Sequence, residues 1–126
     1  MDAKDLTRGL ELARGIRQKQ ERIRRYRDIA EGATRSYSGG QLSKMGQGSR
    51  IENSVIMISL LEQEIDADIG EQLRIRRIIK TVGDIRHQQL LELRYLDGKT
   101  WEQVAASMGL SREWVGKLNK KVLSSL

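Results

Sequence analysis

Arg112, Glu113, Lys117, Lys120 and Lys121 crowd one short stretch, SREWVGKLNKKVL, near the end of the chain. These side chains suit recognition rather than bond-making. An Arg fork matches the two acceptors on a guanine edge, a Glu carboxylate accepts from a cytosine amine, and Lys neutralises phosphate. If the stretch is helical, these residues, with Trp114 and Gly116, lie on the arc opposite Val115, Leu118 and Val122, so one face packs while the other meets a ligand. Trp114 has two open readings: a wedge against Leu90 or Leu93, or an exposed ring that packs on DNA sugar, a thymine methyl or a protein partner. No comparable set of residues exists for catalysis. There is no Cys and one His, His87, which reads as an ordinary surface or capping residue. Glu92 and Arg94 stand two apart and so point to different helix faces. No enzyme, metal site or cofactor is expected.

Positioning such a face needs a helix held at a fixed angle to a neighbour. Thr100 and Gln103 have the form of a capping box, and Trp101, Val104, Ala105 and Met108 then mark a short helix. Gly109-Leu110 makes a turn and Ser111 is a second N-cap. Ala105 and Gly109 are small enough for the two helices to cross closely, the geometry of a helix-turn-helix. The last helix then presents Arg112 and Glu113 first, followed by Trp114, Gly116 and Lys117, with Lys120 and Lys121 nearer a nucleic-acid backbone. The free amides at the Thr100 end can also face a phosphate. A preceding helix, about Ile85 to Leu96, supplies Leu90, Leu91, Leu93 and Tyr95 to the core and ends at the turn Asp97-Gly98.

Upstream, Leu6, Leu10, Ala13, Ile16, Ile23, Tyr26, Ala30, Ala33 and Tyr37 recur mostly at three- and four-residue steps, which predicts one helix from Asp2 to about Tyr37. Gly9 and Gly15 weaken its first turns. The run KQERIRRYR reads first as a solvated flank and second as a phosphate contact. SYSGGQLSKMGQGS, Ser36 to Ser49, reads as a flexible loop. Its glycines lack the GxxxxGK[ST] spacing of a phosphate cradle and follow no strand. A second long helix starts near Arg50, with Ile51, Val55, Ile58, Leu61, Ile65 and Ile69 on one stripe. Gly70 marks a kink or a junction in it.

Two amphipathic helices joined by a loop bury their stripes most simply as an antiparallel hairpin. The fold class is therefore all-α: a long N-terminal hairpin, residues 1–82, acting as an oligomerisation arm, then a trihelical helix-turn-helix unit, residues 83–126. Charge follows the same division. Residues 1–50 carry 12 Lys/Arg against 6 Asp/Glu, residues 51–82 carry 4 against 6, and residues 83–126 carry 7 against 5. The basic first helix beside the acidic second absorbs part of the formal +6. A hairpin this narrow has little interior of its own, so its apolar residues can also zip two chains together. No apolar stretch is long enough to span a bilayer and the N-terminus is polar, so a cytoplasmic location is expected.

The stretch LELRYLDGKTWEQVAASMGLSREWVGKLNKKVLSSL resembles the C-terminal promoter-reading region, region 4, of bacterial sigma factors. It is still more similar to bacteriophage and prophage transcriptional regulators of the ArpU-like and RinA-like type. Leu91, Arg94, Tyr95, Gly98, Thr100, Trp101, Val104, Ala105, Gly109, Ser111, Val115 and Leu118 occupy the pattern. The resemblance implies that Arg112, Glu113 and Lys117 read the DNA major groove, with Trp114 and Gly116 departing from the Arg common in sigma factors. It implies a transcription regulator of phage or mobile-element genes that acts on double-stranded DNA and touches bacterial RNA polymerase, and the narrow hairpin adds the expectation of a homodimer. Two rivals stand beside it: a phage terminase small subunit that binds packaging-site DNA, and a sigma-like module that docks on protein rather than DNA.

Overall fold

The structure is a computed structural model; it describes the backbone of residues 3–37 and 44–126 and the side chains of residues 3–32 and 48–126. Five α-helices follow one another: α1 (Ala3–Tyr37), α2 (Lys44–Ile79), α3 (Ile85–Leu91), α4 (Trp101–Met108) and α5 (Arg112–Ser124). A π-helical turn, Glu92–Leu96, continues α3. Every regular element among the described residues is helical, as the aliphatic periodicity predicts. The middle of the expected loop, residues 38–43, lies outside the described residues. Its last part differs from the prediction, because α2 starts at Lys44 rather than near Arg50. The apolar stripe marks only the buried part of a helix, whereas backbone hydrogen bonds set its length. α2 runs unbroken through Gly70, and the boundary between the two compact units falls close to this residue, between Ala67 and Asp68.

The chain forms two compact units, one of Met1–Gly15 with Asp68–Leu126 and one of Ile16–Ala67. In the Ile16–Ala67 unit, α1 turns Ile16, Lys19, Ile23, Tyr26 and Ala30 inward, and α2 turns Ile51, Ser54, Ile58, Leu61 and Ile65 inward. Steps of three and four alternate on both helices, the mean spacing of 3.5 that keeps a narrow seam facing one partner helix. Ile23, Leu61 and Ile65 form its buried centre, with Ile16, Tyr26 and Ile58 packed around them. Lys19 pairs with Glu64 at 3.9 Å and Arg27 with Glu62 at 3.4 Å, so partners on α2 step backward as α1 advances. That is the antiparallel basic-on-acidic arrangement read from the charge pattern. Val55 departs from the expected stripe and is 56% exposed. It sits beside the 3.5-residue seam rather than on it.

The other unit has the larger core. Leu6, Leu12, Ile75, Ile79, Leu90, Leu91, Tyr95, Val104, Ala105, Val115 and Val122 are buried together. The sequence reading divides the chain between residues 82 and 83; here Leu6 and Leu12 of α1 and Ile75 and Ile79 of α2 lie in the same core as the trihelical residues. Gly9 explains how α1 comes so close. A Cβ there would stand 2.8 Å from the Tyr95 carbonyl oxygen and 3.6 Å from Ile75 Cδ1. Glycine is therefore a packing requirement at this position, although it reads from sequence only as a weak helix former. Polar ties fix the same approach. The Arg8 fork donates two 3.0 Å bonds to Glu71, the Gln72 amide donates to the Leu96 carbonyl at 3.0 Å, and Lys80 meets Glu92 at 2.9 Å.

Candidate nucleic-acid interface

Three capped helices build the candidate face. Asp84 opens α3, its carboxylate accepting from the amides of Arg86 at 2.8 Å and His87 at 3.3 Å. Those bonds hold the Asp84 carboxyl below the usual aspartate range, and the nearby charges of His87 and Lys121 act in the same direction. α3 runs into the π-helical turn and stops where the Asp97 amide reaches back to the Glu92 carbonyl at 2.9 Å and Gly98 turns to φ 70°. Glu92 and Arg94 leave on different sides, as two residues apart must. Glu92 pairs with Lys80, while Arg94 stacks 4.5 Å from the Trp101 ring centre and donates to the Lys99 carbonyl at 2.8 Å. Arg94 thereby ties the α3 end to the start of α4.

Thr100 completes the predicted capping box: its hydroxyl accepts from the Gln103 amide at 3.2 Å, and the Gln103 side chain accepts from the Thr100 amide at 3.0 Å. Both Thr100 groups are thus engaged within the helix end. At the far end of α4, Gly109 adopts φ 67° and the Leu110 amide reaches the Ala105 carbonyl at 3.0 Å, a left-handed stop that favours glycine. The expected role of Gly109 in close helix crossing is not what the geometry gives. A Cβ at Gly109 would meet nothing within 4 Å, so its backbone angle is what calls for glycine. Ala105, in contrast, is buried in the shared core. Ser111 then caps α5 by accepting from the Trp114 amide at 3.2 Å.

On α5, Val115 and Val122 are fully buried and Leu118 packs beside them. That places Arg112, Glu113, Trp114, Gly116, Lys117, Lys120 and Lys121 in solvent. The open question about Trp114 is answered: the ring is 63% exposed, with Lys117 Nζ 5.8 Å from its centre. Trp101 packs on the core instead, as the sequence suggests. Arg112, Gly116 and Lys120 line a shallow cleft of about 210 Å³ together with Trp101 and Asn119. No neighbour lies within 4 Å of a Cβ built at Gly116, so the missing side chain leaves a concavity in the middle of the face. Tyr95 supports the cleft from behind by donating to the Asn119 side-chain oxygen at 3.1 Å. Lys121 lies nearer the start of α3, within the field of Asp84.

Sequence reasoning passed over Glu102. Its carboxylate takes the Arg112 Nε at 2.9 Å across the two helices, and it is held below the usual glutamate range first by a backbone hydrogen bond at the start of α4 and then by Arg112. The available signal was an acidic residue in the first turn of one helix and a basic one in the first turn of the next. Only the crossing of the helices shows that they meet. Among the described residues no group of His, Cys, Asp and Glu is arranged to hold a metal ion, and no helix is long and apolar enough to cross a membrane.

Compared with known proteins, residues 84–126 match the family described as sigma-70, region 4. No curated protein and no solved structure matches the chain. The last part of the chain, α3 to α5, is a sigma-region-4-like helix-turn-helix, and the match supports DNA binding by it.

Proposed function

We propose that this helix-turn-helix makes the protein a sequence-specific, double-stranded DNA-binding transcription regulator of phage or mobile-element genes, acting by recognition without catalysis. α5 enters the major groove, Arg112, Glu113 and Lys117 reach its floor, and Lys120 and Lys121 meet the backbone. The observation that carries the reading is the composition of the exposed arc of α5, which sets Arg, Glu, Lys and a side-chain-free Gly116 outward on a helix whose other face is packed shut. The protein works in the cytoplasm as a homodimer on two related half-sites, its α1–α2 hairpin acting as a coiled-coil arm, and it contacts bacterial RNA polymerase. These last features rest on the resemblance to phage regulators and on the apolar residues that the hairpin leaves in solvent.

Selection of bound fragments from host and prophage DNA at physiological salt, combined with light scattering of the complexes, tests the reading. One enriched site bound by a dimer near a gene promoter supports it. A larger ring bound near packaging genes would instead identify a terminase small subunit, and no enrichment would leave a protein-docking module. Arg112→Ala should weaken the cognate site by roughly 1–3 kcal/mol and relax preference at one base pair. Lys117→Ala should likewise reduce specific binding without unfolding the protein, whereas Lys120→Ala should weaken all sequences alike and lower the salt slope by about one.

A further inference from the structure

The Ile16–Ala67 unit is a two-helix layer, and two helices can bury only one seam each. That seam is complete, yet Ile56 and Leu60 remain 52% and 49% exposed on α2, with Met57 half-buried next to them. Adjacent apolar side chains in water mark an interaction surface. Helical phase says where they point. Met57 and Glu64 lie roughly a quarter turn from the buried line, Leu60 further round on the same side, and Ile56 opposite it. On α1, Arg22 and Ile29 lie about a quarter turn from its own seam and, with Tyr26 at the seam edge and Arg25 further round, line a shallow concavity of about 380 Å³. Because both helices are right-handed and run antiparallel, these two faces open on the same side of the layer.

Charge selects what can cover that side. Residues 51–67 carry four carboxylates, Glu52, Glu62, Glu64 and Asp66, and no Lys or Arg, whereas residues 16–32 carry six Lys/Arg against three Asp/Glu. Packing α2 on another α2 would set acid against acid. Packing it on another α1 sets acid against base, and Arg22 and Arg25 have no carboxylate partner among the described residues. Nucleic-acid phosphate would satisfy the arginines but leave Met57 and Leu60 in water. A second copy of this chain accounts for both observations. We propose that two Ile16–Ala67 units pair face to face about a two-fold axis, each α1 lying on the other copy's α2. Tyr26 and Ile29 then cover the second copy's Leu60 and Met57, and Arg22 approaches its Glu64. Two-fold symmetry makes every such contact twice.

This inference deepens the dimer reading above and is independent of the DNA sequence recognised. Sedimentation equilibrium of the full chain without DNA tests it, with circular dichroism confirming that each variant keeps its helix content. Wild type should dimerise. Leu60→Asp, at a site exposed in the protomer, and Arg22→Glu should each weaken association by roughly tenfold or more, since each change acts twice across the axis. Combining Arg22→Glu with Glu64→Arg should restore most of the loss. A wild-type dimer indifferent to all three variants would overturn these faces while leaving a dimer formed elsewhere. A wild-type monomer at high concentration would overturn both the faces and the dimer. Single variants that dissociate the protein without recovery in the double variant would overturn the Arg22–Glu64 pairing, and an Arg22→Glu that weakens DNA binding at unchanged mass would assign the arginine to phosphate instead.

Discussion

Individual side chains in this protein divide between those that hold a helix end and those held outward by it. Asp84 belongs to the first group, and its depressed pKa has a consequence for pH. A carboxyl whose folded value lies below its unfolded one adds stability above the ordinary aspartate value of about 3.9 and loses it as pH falls through the folded value. Asp84→Asn keeps a good cap but removes the titration. Thermal melts should therefore show wild type more stable at neutral pH, with the difference shrinking below about pH 4; a constant difference would mean that the cap charge plays no part. Gly116 belongs to the second group. Glycine inside a helix costs about 0.5–1 kcal/mol relative to Ala, and nothing in the protein lies where its Cβ would go. Gly116→Ala should raise thermal stability accordingly. If the same variant loses affinity for the selected DNA site, close approach of the α5 backbone is what the glycine serves.

At the scale of elements, the recognition geometry depends on three short helices whose ends are all satisfied locally. α4 and α5 have eight and thirteen residues, too short to be stable alone in water, so caps and shared packing must supply the rest. Ser111→Ala removes the oxygen that takes the Trp114 amide and should cost about 1 kcal/mol of stability. Denaturant unfolding reads that directly, and a change within error would show that water replaces the cap at no cost. This layer was legible in the sequence. Thr100-Gln103, Gly98 and Ser111 announce their roles by residue type and position, and Gly109 its turn though not its left-handed angle, because capping and turns are decided within a few residues of chain. Side-chain phase was less legible on α2, where Val55 and Ile69 match an apolar stripe yet stand 56% and 40% exposed. Period-counting accepts a wide stripe, whereas one facing helix buries only a narrow seam.

At the scale of the whole molecule, the core around α3 to α5 is assembled from chain segments far apart in sequence. Leu6, Ile75 and Ile79 are as buried as Val104 and Val115. Ile79→Ala should accordingly cost about 2–5 kcal/mol in unfolding experiments, although it lies outside the helix-turn-helix segment. Gly9→Ala should destabilise by about 1–2 kcal/mol, the strain of a Cβ against the Tyr95 carbonyl outweighing the gain in helix propensity. A stabilised Gly9→Ala would show that α1 shifts freely at this contact.

Legible in the chain itself are the helical elements, most of the caps and turns, the antiparallel opposition of basic and acidic helices, and the arc of α5 that carries Arg112, Glu113 and Lys117. All of these depend on residue type and on neighbours within one or two turns, so a linear reading reaches them. Tertiary structure alone decided that Trp114 stands in solvent, that Glu102 holds Arg112, that Gly9 admits α1 to the Tyr95 backbone and that Leu6 and Ile79 complete the larger core. Each of those depends on where two separate segments meet. Helix periodicity says which face is apolar, but the partner that covers it is chosen by packing shape and distance, which are not written in any local stretch of chain.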